Sequence, residues 1–207
     1  MTTVSRETKE AIEQFGVSRE TLSRLEIYAE LLHRWAPRIN LISRADLPHL
    51  WQRHILDSLQ LLPHLPPVSQ AIDIGSGAGF PGLILAIATG IRFDLIESDQ
   101  RKCAFLREAA RITGAPATPH PIRAESQNNL VKSPLITARA LAPLSNLLSL
   151  ATPLATKDAV FLFLKGAEAD QELTAANALW NMSVQCFPSL LPGAGTILRI
   201  SEVSPRV

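Results

Sequence analysis

The spacing of apolar residues changes character near residue 69, and the change divides the chain in two. Ahead of it, Leu22, Leu25, Tyr28, Ala29, Leu32 and Trp35 recur every three or four positions, the period of one helix face. The spacing predicts an amphipathic helix over 18–35 with Ser18 as its N-cap, and a shorter helix over 5–15 before it. After Pro37 comes the loop RINLISRA, then Asp46 as a cap and Pro48 in the first turn of a helix reaching about Leu62. Beyond the PHLPP turn, short apolar runs predict strands at 70–74, 92–97, 117–121, 134–138 and 159–164. Helices are expected at about 81–89, 99–113 and 143–155, with a short turn or helix near Ala124 to Leu130. Strands alternating with helices imply a parallel sheet. Past a helix at 168–179, the segments NMSVQCFPSL and GTILRI read as an antiparallel pair. The expected organisation is a helical extension, residues 1–66, packed on one compact α/β unit, 67–207.

Composition narrows the class. With 46% hydrophobic and 19% charged residues in 207, the chain is a globular protein with a sizeable core. No run of about eighteen uncharged apolar residues occurs, and the N-terminal stretch lacks a signal-peptide core, so a cytoplasmic protein with no membrane association is expected. Cys103 and Cys186 are far apart and have no CxxC companion. Neither a disulfide framework nor a metal site is expected, and both thiols are expected to be small buried groups. The net charge of +1 hides an uneven distribution. Arg34, Arg38, Arg44 and Arg53 face only Asp46 between residues 31 and 56, and a second basic stretch holds Arg101, Lys102, Arg107, Arg111, Arg123 and Lys132. Each cluster fits either a solvated face or a phosphate-binding surface.

The run AIDIGSGAGFPG at 71–82 carries the chemistry. A buried strand ends at Ile74, and Gly75, Gly77 and Gly79 turn the chain into a helix opened by Pro81. Glu97, closing the second strand, suits the hydroxyls of a cofactor ribose. Asp99 is the alternative carboxylate, or else the cap of the next helix. Gly77-x-Gly79-x-x-Gly82 literally matches a dinucleotide fingerprint. Against NAD stand the roughly 110 residues left after Glu97, enough to finish one sheet, and the antiparallel closing pair. That pair and Asp73, two residues before Gly75, match the S-adenosylmethionine-dependent methyltransferase pattern. Asp73 itself fits equally a buried structural carboxylate and a contact to the cofactor's amino group.

Absent residues limit the methyl acceptor. No Asn/Asp-Pro-Pro-aromatic run follows the fourth strand, where the chain reads ITARALAPLS. Neither cysteine sits where a thiolate nucleophile would be activated. An acceptor owning a free lone pair remains, and it needs mainly alignment.

NLIS at 40–43, RHILDS at 53–58, DIGSGAGFPG at 73–82, TARALA at 137–142 and LKG at 164–166 occur in one order and spacing. Over about residues 20–200 the chain resembles the bacterial small-subunit ribosomal RNA guanine-N7 methyltransferase family, also called glucose-inhibited division protein B. The resemblance implies a Rossmann-like class I S-adenosylmethionine-dependent fold, a seven-stranded mainly parallel sheet, with 16S ribosomal RNA or the small ribosomal subunit as partner and a monomer as the working form. It implies a cofactor pocket lined by Gly75, Phe80, Ala124, Glu125 and Arg139, beside Glu97. Arg139 and Lys165 are the candidate catalytic residues, as donors to the base O6 or a phosphate; the structural alternative for Arg139 is a salt bridge to a loop carboxylate, and a solvated strand end fits Lys165 equally well. In the RHILDS helix an Arg53–Asp57 ion pair and a hydrogen-bonded structural His54 are expected. Asn40 fits a bond to the base or to backbone. Glu97 replaces the more usual Asp, and ARAL the usual SRAFA or SRAVA. A small-molecule methyltransferase and a non-catalytic RNA-binding or ribosome-assembly module are the alternatives.

Overall fold

The computed structural model describes residues 4, 6–126, 130–191 and 195–206. Among them a seven-stranded sheet runs in the order β3-β2-β1-β4-β5-β7-β6. Its strands are β1 (Gln70–Ile74), β2 (Arg92–Ile96), β3 (Ala117–His120), β4 (Ser133–Arg139), β5 (Ala155–Lys165), β6 (Trp180–Pro188) and β7 (Thr196–Pro205). β1 to β5 pair in parallel, and β7 enters antiparallel between β5 and β6. The closing pair anticipated from NMSVQCFPSL and GTILRI is therefore present, and it extends to Pro205.

The helices are α1 (Arg6–Glu13), α2 (Arg19–Trp35), α3 (Asp57–Leu59), α4 (Gly82–Thr89), α5 (Gln100–Thr113), α6 (Leu144–Ala151) and α7 (Ala169–Asn177). Ser18 caps α2 by accepting the Thr21 N–H, and Asp99 caps α5 by accepting those of Arg101 and Lys102. Asp99 thus takes its structural role. α4 and α5 end at Gly90 and Gly114, both left-handed.

Alternation along the strands sends side chains to two cores. Leu135, Leu162 and Leu164 join one cluster with α2, α4 and α5, while Ile136, Phe161 and Phe163 join another with α6 and α7. Leu25, Tyr28 and Leu32 of α2 lie in the same cluster as Leu83 and Phe105. The helical extension therefore has no separate core there. Each fully buried leucine contributes roughly 2 kcal/mol to that docking.

Three expectations need correction. The single helix over 48–62 is a chain of tight segments: Leu47–His49, a widened π-type turn over Trp51–Leu56, the α3 turn, and Leu62–His64. Asp46 does not cap it, because its carboxylate accepts from the Ser43 hydroxyl and pairs with Arg53. Cys103 is buried, but Cys186 is exposed, since β6 is an edge strand with one solvated face. The turn near Ala124 to Leu130 begins as a tight turn at Ala124–Ser126, and 127–129 lie outside the described residues.

Candidate active site

Two cavities open where the parallel strands end, as expected for a doubly wound sheet. The first, about 350 Å³, is lined by Gly75 and Gly77, by Glu97 and Ser98 after β2, by Lys102, by Ala124 and Glu125, and by Leu141. Gly75 and Gly77 have φ of +69° and +56°, which side-chain-bearing residues rarely adopt. A Cβ on Gly75 would lie 2.7 Å from Leu141 Cδ1, so the glycine leaves room for the wall opposite.

Glu97 is pinned across this loop. Its Oε2 accepts the Gly77 N–H at 3.0 Å and its Oε1 the Asp99 N–H at 2.8 Å. Each carboxylate oxygen keeps a second lone pair for a ribose hydroxyl. A fixed carboxylate, a glycine-walled floor and the apolar Leu141 suit a nucleoside-bearing cofactor. Phe80 is not part of this wall. It is buried, with His54 stacked on it at 4.9 Å between centroids and the Arg139 guanidinium 4.8 Å from the ring centre.

The second cavity, about 450 Å³, is lined by Asp46, Gln52, Arg53, His54, Asp57, Arg139, Ala140, Leu164, Lys165, Gly166 and Leu191. Arg139, the last residue of β4, is held from the RHILDS segment. It donates to the Arg53 carbonyl at 3.1 Å, to Asp57 Oδ2 at 3.3 Å and to His54 Nδ1 at 2.8 Å. The expected Arg53–Asp57 pair is thus replaced by two others, Arg53–Asp46 and Arg139–Asp57. Because a guanidinium only donates, Nδ1 must accept, and His54 is the neutral Nε2–H tautomer. Burial, reinforced by Arg139, pushes the His54 pKa down to about 4, which keeps the ring neutral. Burial pushes Asp57 the other way, against the pull of Arg139.

Lys165 is not a solvated strand end. It is 6% exposed, donates to the Ala142 carbonyl at 2.6 Å and lies 2.6 Å from Glu172. The same Glu172 oxygen accepts the Leu144 N–H at 2.7 Å. Together they fasten the loop 140–144 that separates the cavities. Ala140 in that loop has φ +48°, a conformation costing roughly 1 kcal/mol for a residue with a Cβ.

Asp73 is wholly buried beneath the glycine loop, with Oδ1 accepting from the Thr137 hydroxyl at 2.6 Å across β1 and β4. It lines neither cavity, and burial raises its pKa to about 6. Of its two readings the structural one matches this placement. Sequence reasoning missed Leu141, Lys102 and Gln52 as wall residues. It also missed Tyr28, whose hydroxyl donates to the Ala78 carbonyl at 2.6 Å and ties α2 to the glycine loop. None has a local signal, because each looks like ordinary helix or loop. No cluster of three or more metal-ligating side chains occurs among the described residues.

The strand order with its antiparallel β7, the glycine loop after β1 and the acid after β2 define a class I S-adenosylmethionine-dependent methyltransferase. Solved structures agree at the level of fold. The ribosomal protein L11 methylase of Lactobacillus delbrueckii subsp. bulgaricus superposes with a TM-score of 0.57 at 15% identity, over 70% of this chain and 76% of that one. A TehB-like S-adenosylmethionine-dependent methyltransferase of Corynebacterium glutamicum gives 0.56 at 14%, over 87% and 97%. Residues 21–193 match the family described as rRNA small subunit methyltransferase G, and the chain belongs to that family. The ribosomal RNA small subunit methyltransferase G of Granulibacter bethesdensis is 55% identical over 91% of this chain and 89% of its own length. That of Acidiphilium cryptum is 55% identical over 97% and 93%. No described helix is long and apolar enough to cross a membrane.

Proposed function

We propose that this chain methylates N7 of a guanine in the 16S RNA of the small ribosomal subunit, working in the cytoplasm as a monomer. The observation that carries this reading is the junction at the end of β4. Arg139 and Ala140 face the larger cavity and the next residue, Leu141, faces the smaller, so the two spaces meet across one short loop. The smaller would hold the cofactor through the glycine loop, Glu97, Ala124 and Glu125, and the larger the base.

S-adenosylmethionine, when bound, supplies an electrophilic sulfonium methyl. The chain's task is then alignment, since guanine N7 carries its lone pair unprotonated at neutral pH and needs no general base. His54 fits that economy, for it stays neutral and serves Arg139 as an acceptor. Arg139, fixed by three acceptors and an aromatic face, presents its charge toward the base O6 or a phosphate. Lys165 spends one of its three donors on the Ala142 carbonyl of the 140–144 loop and one on Glu172 of α7, and keeps one for a substrate oxygen. Phe80 supports Arg139 and His54 from below in place of a direct role in the cofactor pocket.

The test is incubation of the protein and methyl-labelled cofactor with small subunits from cells lacking the enzyme. Label recovered as N7-methylguanosine in 16S RNA is expected. Label in another nucleoside, or none, overturns the assignment.

A further inference from the structure

The two cavities account for few of the chain's arginines. A third, open groove of about 600 Å³ runs between α2 and α5, lined by Leu31, Arg34, Trp35, Arg38, Ala104 and Glu108. On α5, Arg101 lies three residues before Ala104 and Arg111 three after Glu108, which puts all four on one helix face. Arg34, Arg38, Arg101 and Arg111 are exposed. The side chains of Arg34 and Arg38 have no hydrogen bond or ion pair among the described residues. Arg101 approaches Asp99 only at 3.9 Å. Glu108 lines the same groove as Arg34 and feels its charge, but the fork of Arg111 takes both carboxylate oxygens at 2.9 and 2.8 Å and offsets that negative charge.

Trp35 supplies the second component. It is half-buried, edge-on to Phe105 at 5.8 Å, and also lines the groove. A cationic rim around an aromatic floor is how proteins hold an unpaired nucleic-acid strand, with phosphates on the rim and a base stacked on the ring. The groove also adjoins the active site. Lys102 of α5 lines the cofactor cavity two residues before Ala104 lines the groove, and the chain leaves Arg38 through Arg44 toward Asp46 and Arg53 of the larger cavity.

We infer that the α2–α5 groove docks a single-stranded segment of the RNA substrate, with phosphates on Arg34, Arg38 and Arg101 and a base on Trp35. This rests on the ribosomal RNA reading above. An unpaired strand is required because a stacking base must be free of its partner.

The decisive variant is Arg34→Glu/Arg38→Glu, whose exposed positions leave the fold and S-adenosylhomocysteine binding unchanged. Its affinity for naked 16S RNA should fall about ten- to hundredfold at 0.1 M salt. The slope of log K against log salt should shrink by about 1.4, or about 0.7 for each of two lost phosphate contacts. KM for RNA should rise with it while kcat stays within about twofold. Trp35→Leu should lose about tenfold in affinity, whereas Trp35→Phe, which keeps a ring over Phe105, should keep most of it. Unchanged affinity and slope overturn the inference. So does a loss seen only on intact small subunits and absent on naked RNA, since that assigns the groove to a ribosomal protein. RNA binding is read without turnover, so a wild-type protein that binds RNA but leaves no N7-methylguanosine strikes the functional reading and not the groove.

Discussion

The two cavities at the strand ends are built in opposite ways. The smaller is shaped mostly by backbone: a glycine loop with positive φ angles, a carboxylate held by two main-chain N–H groups, and the turn at Ala124–Ser126. The larger is shaped by side chains converging from around residues 46, 52–57, 139–140, 164–166 and 191, with Arg139 as the common partner. The lesson is a division of labour. Backbone geometry suits a cofactor shared across a fold class, whereas a convergent side-chain network suits a substrate particular to one family.

The sharpest way to break this contrast is Arg139→Ala. Turnover should fall about a thousandfold, the loss expected of a positioned charge, on the order of 4 kcal/mol. Stability should fall by about 3 kcal/mol, because Asp57 is left buried without its cation. Adding Asp57→Asn should restore the urea midpoint but not turnover. Recovery of both would reduce Arg139 to scaffolding.

Asp73→Asn probes the strand pair that joins the two cavities. In the wild type the native carboxyl holds its proton up to about pH 6, against 3.8 when unfolded. Native protein therefore binds more protons between those values, and this group's contribution to stability is lost as pH rises through 6. The variant should gain on the wild type by about 1.4 kcal/mol per pH unit across that window, up to roughly 3 kcal/mol. His54 has the opposite sign, with its native pKa of about 4 below 6.5, so its contribution is present above 6.5 and lost as pH falls toward 4. Urea titrations at pH 4, 5 and 6 measure the difference curve.

Glu97→Gln should weaken cofactor binding about thirtyfold, roughly 2 kcal/mol, by halving the acceptors across the glycine loop. Calorimetry with S-adenosylhomocysteine checks it, and KM for RNA should not move. A matching change in RNA affinity would erase the boundary between the cavities. Smallest is Gly75→Ala, where left-handed φ and a 2.7 Å approach to Leu141 Cδ1 should lower the urea-derived stability by about 1 kcal/mol.

This division also explains what the sequence made legible. The β/α alternation, the Ser18 cap and the glycine loop with Glu97 depend on neighbours within a few residues, where periodicity and turn chemistry act. The pairing partners of Arg53 and Asp57 were not legible. Spacing of four pointed them at each other, while the fold brought Asp46 to one and Arg139, 82 residues away, to the other. The broken helix at 47–64 was hidden for a related reason. Its apolar stripe survives, but the chain is drawn into a π-type turn that aims the Arg53 carbonyl and His54 Nδ1 at Arg139. Lys165 looked like a solvated strand end because nothing local announces Glu172.

The hydrogen bond from Tyr28 to the Ala78 carbonyl makes α2 a silent partner in ligand binding. Whatever orders the glycine loop also holds α2 in place, and whatever loosens α2 lowers affinity at a cavity that no α2 residue lines. Ligand occupancy should therefore be felt by an α2 mutation some fifty residues earlier in the chain than the loop it anchors.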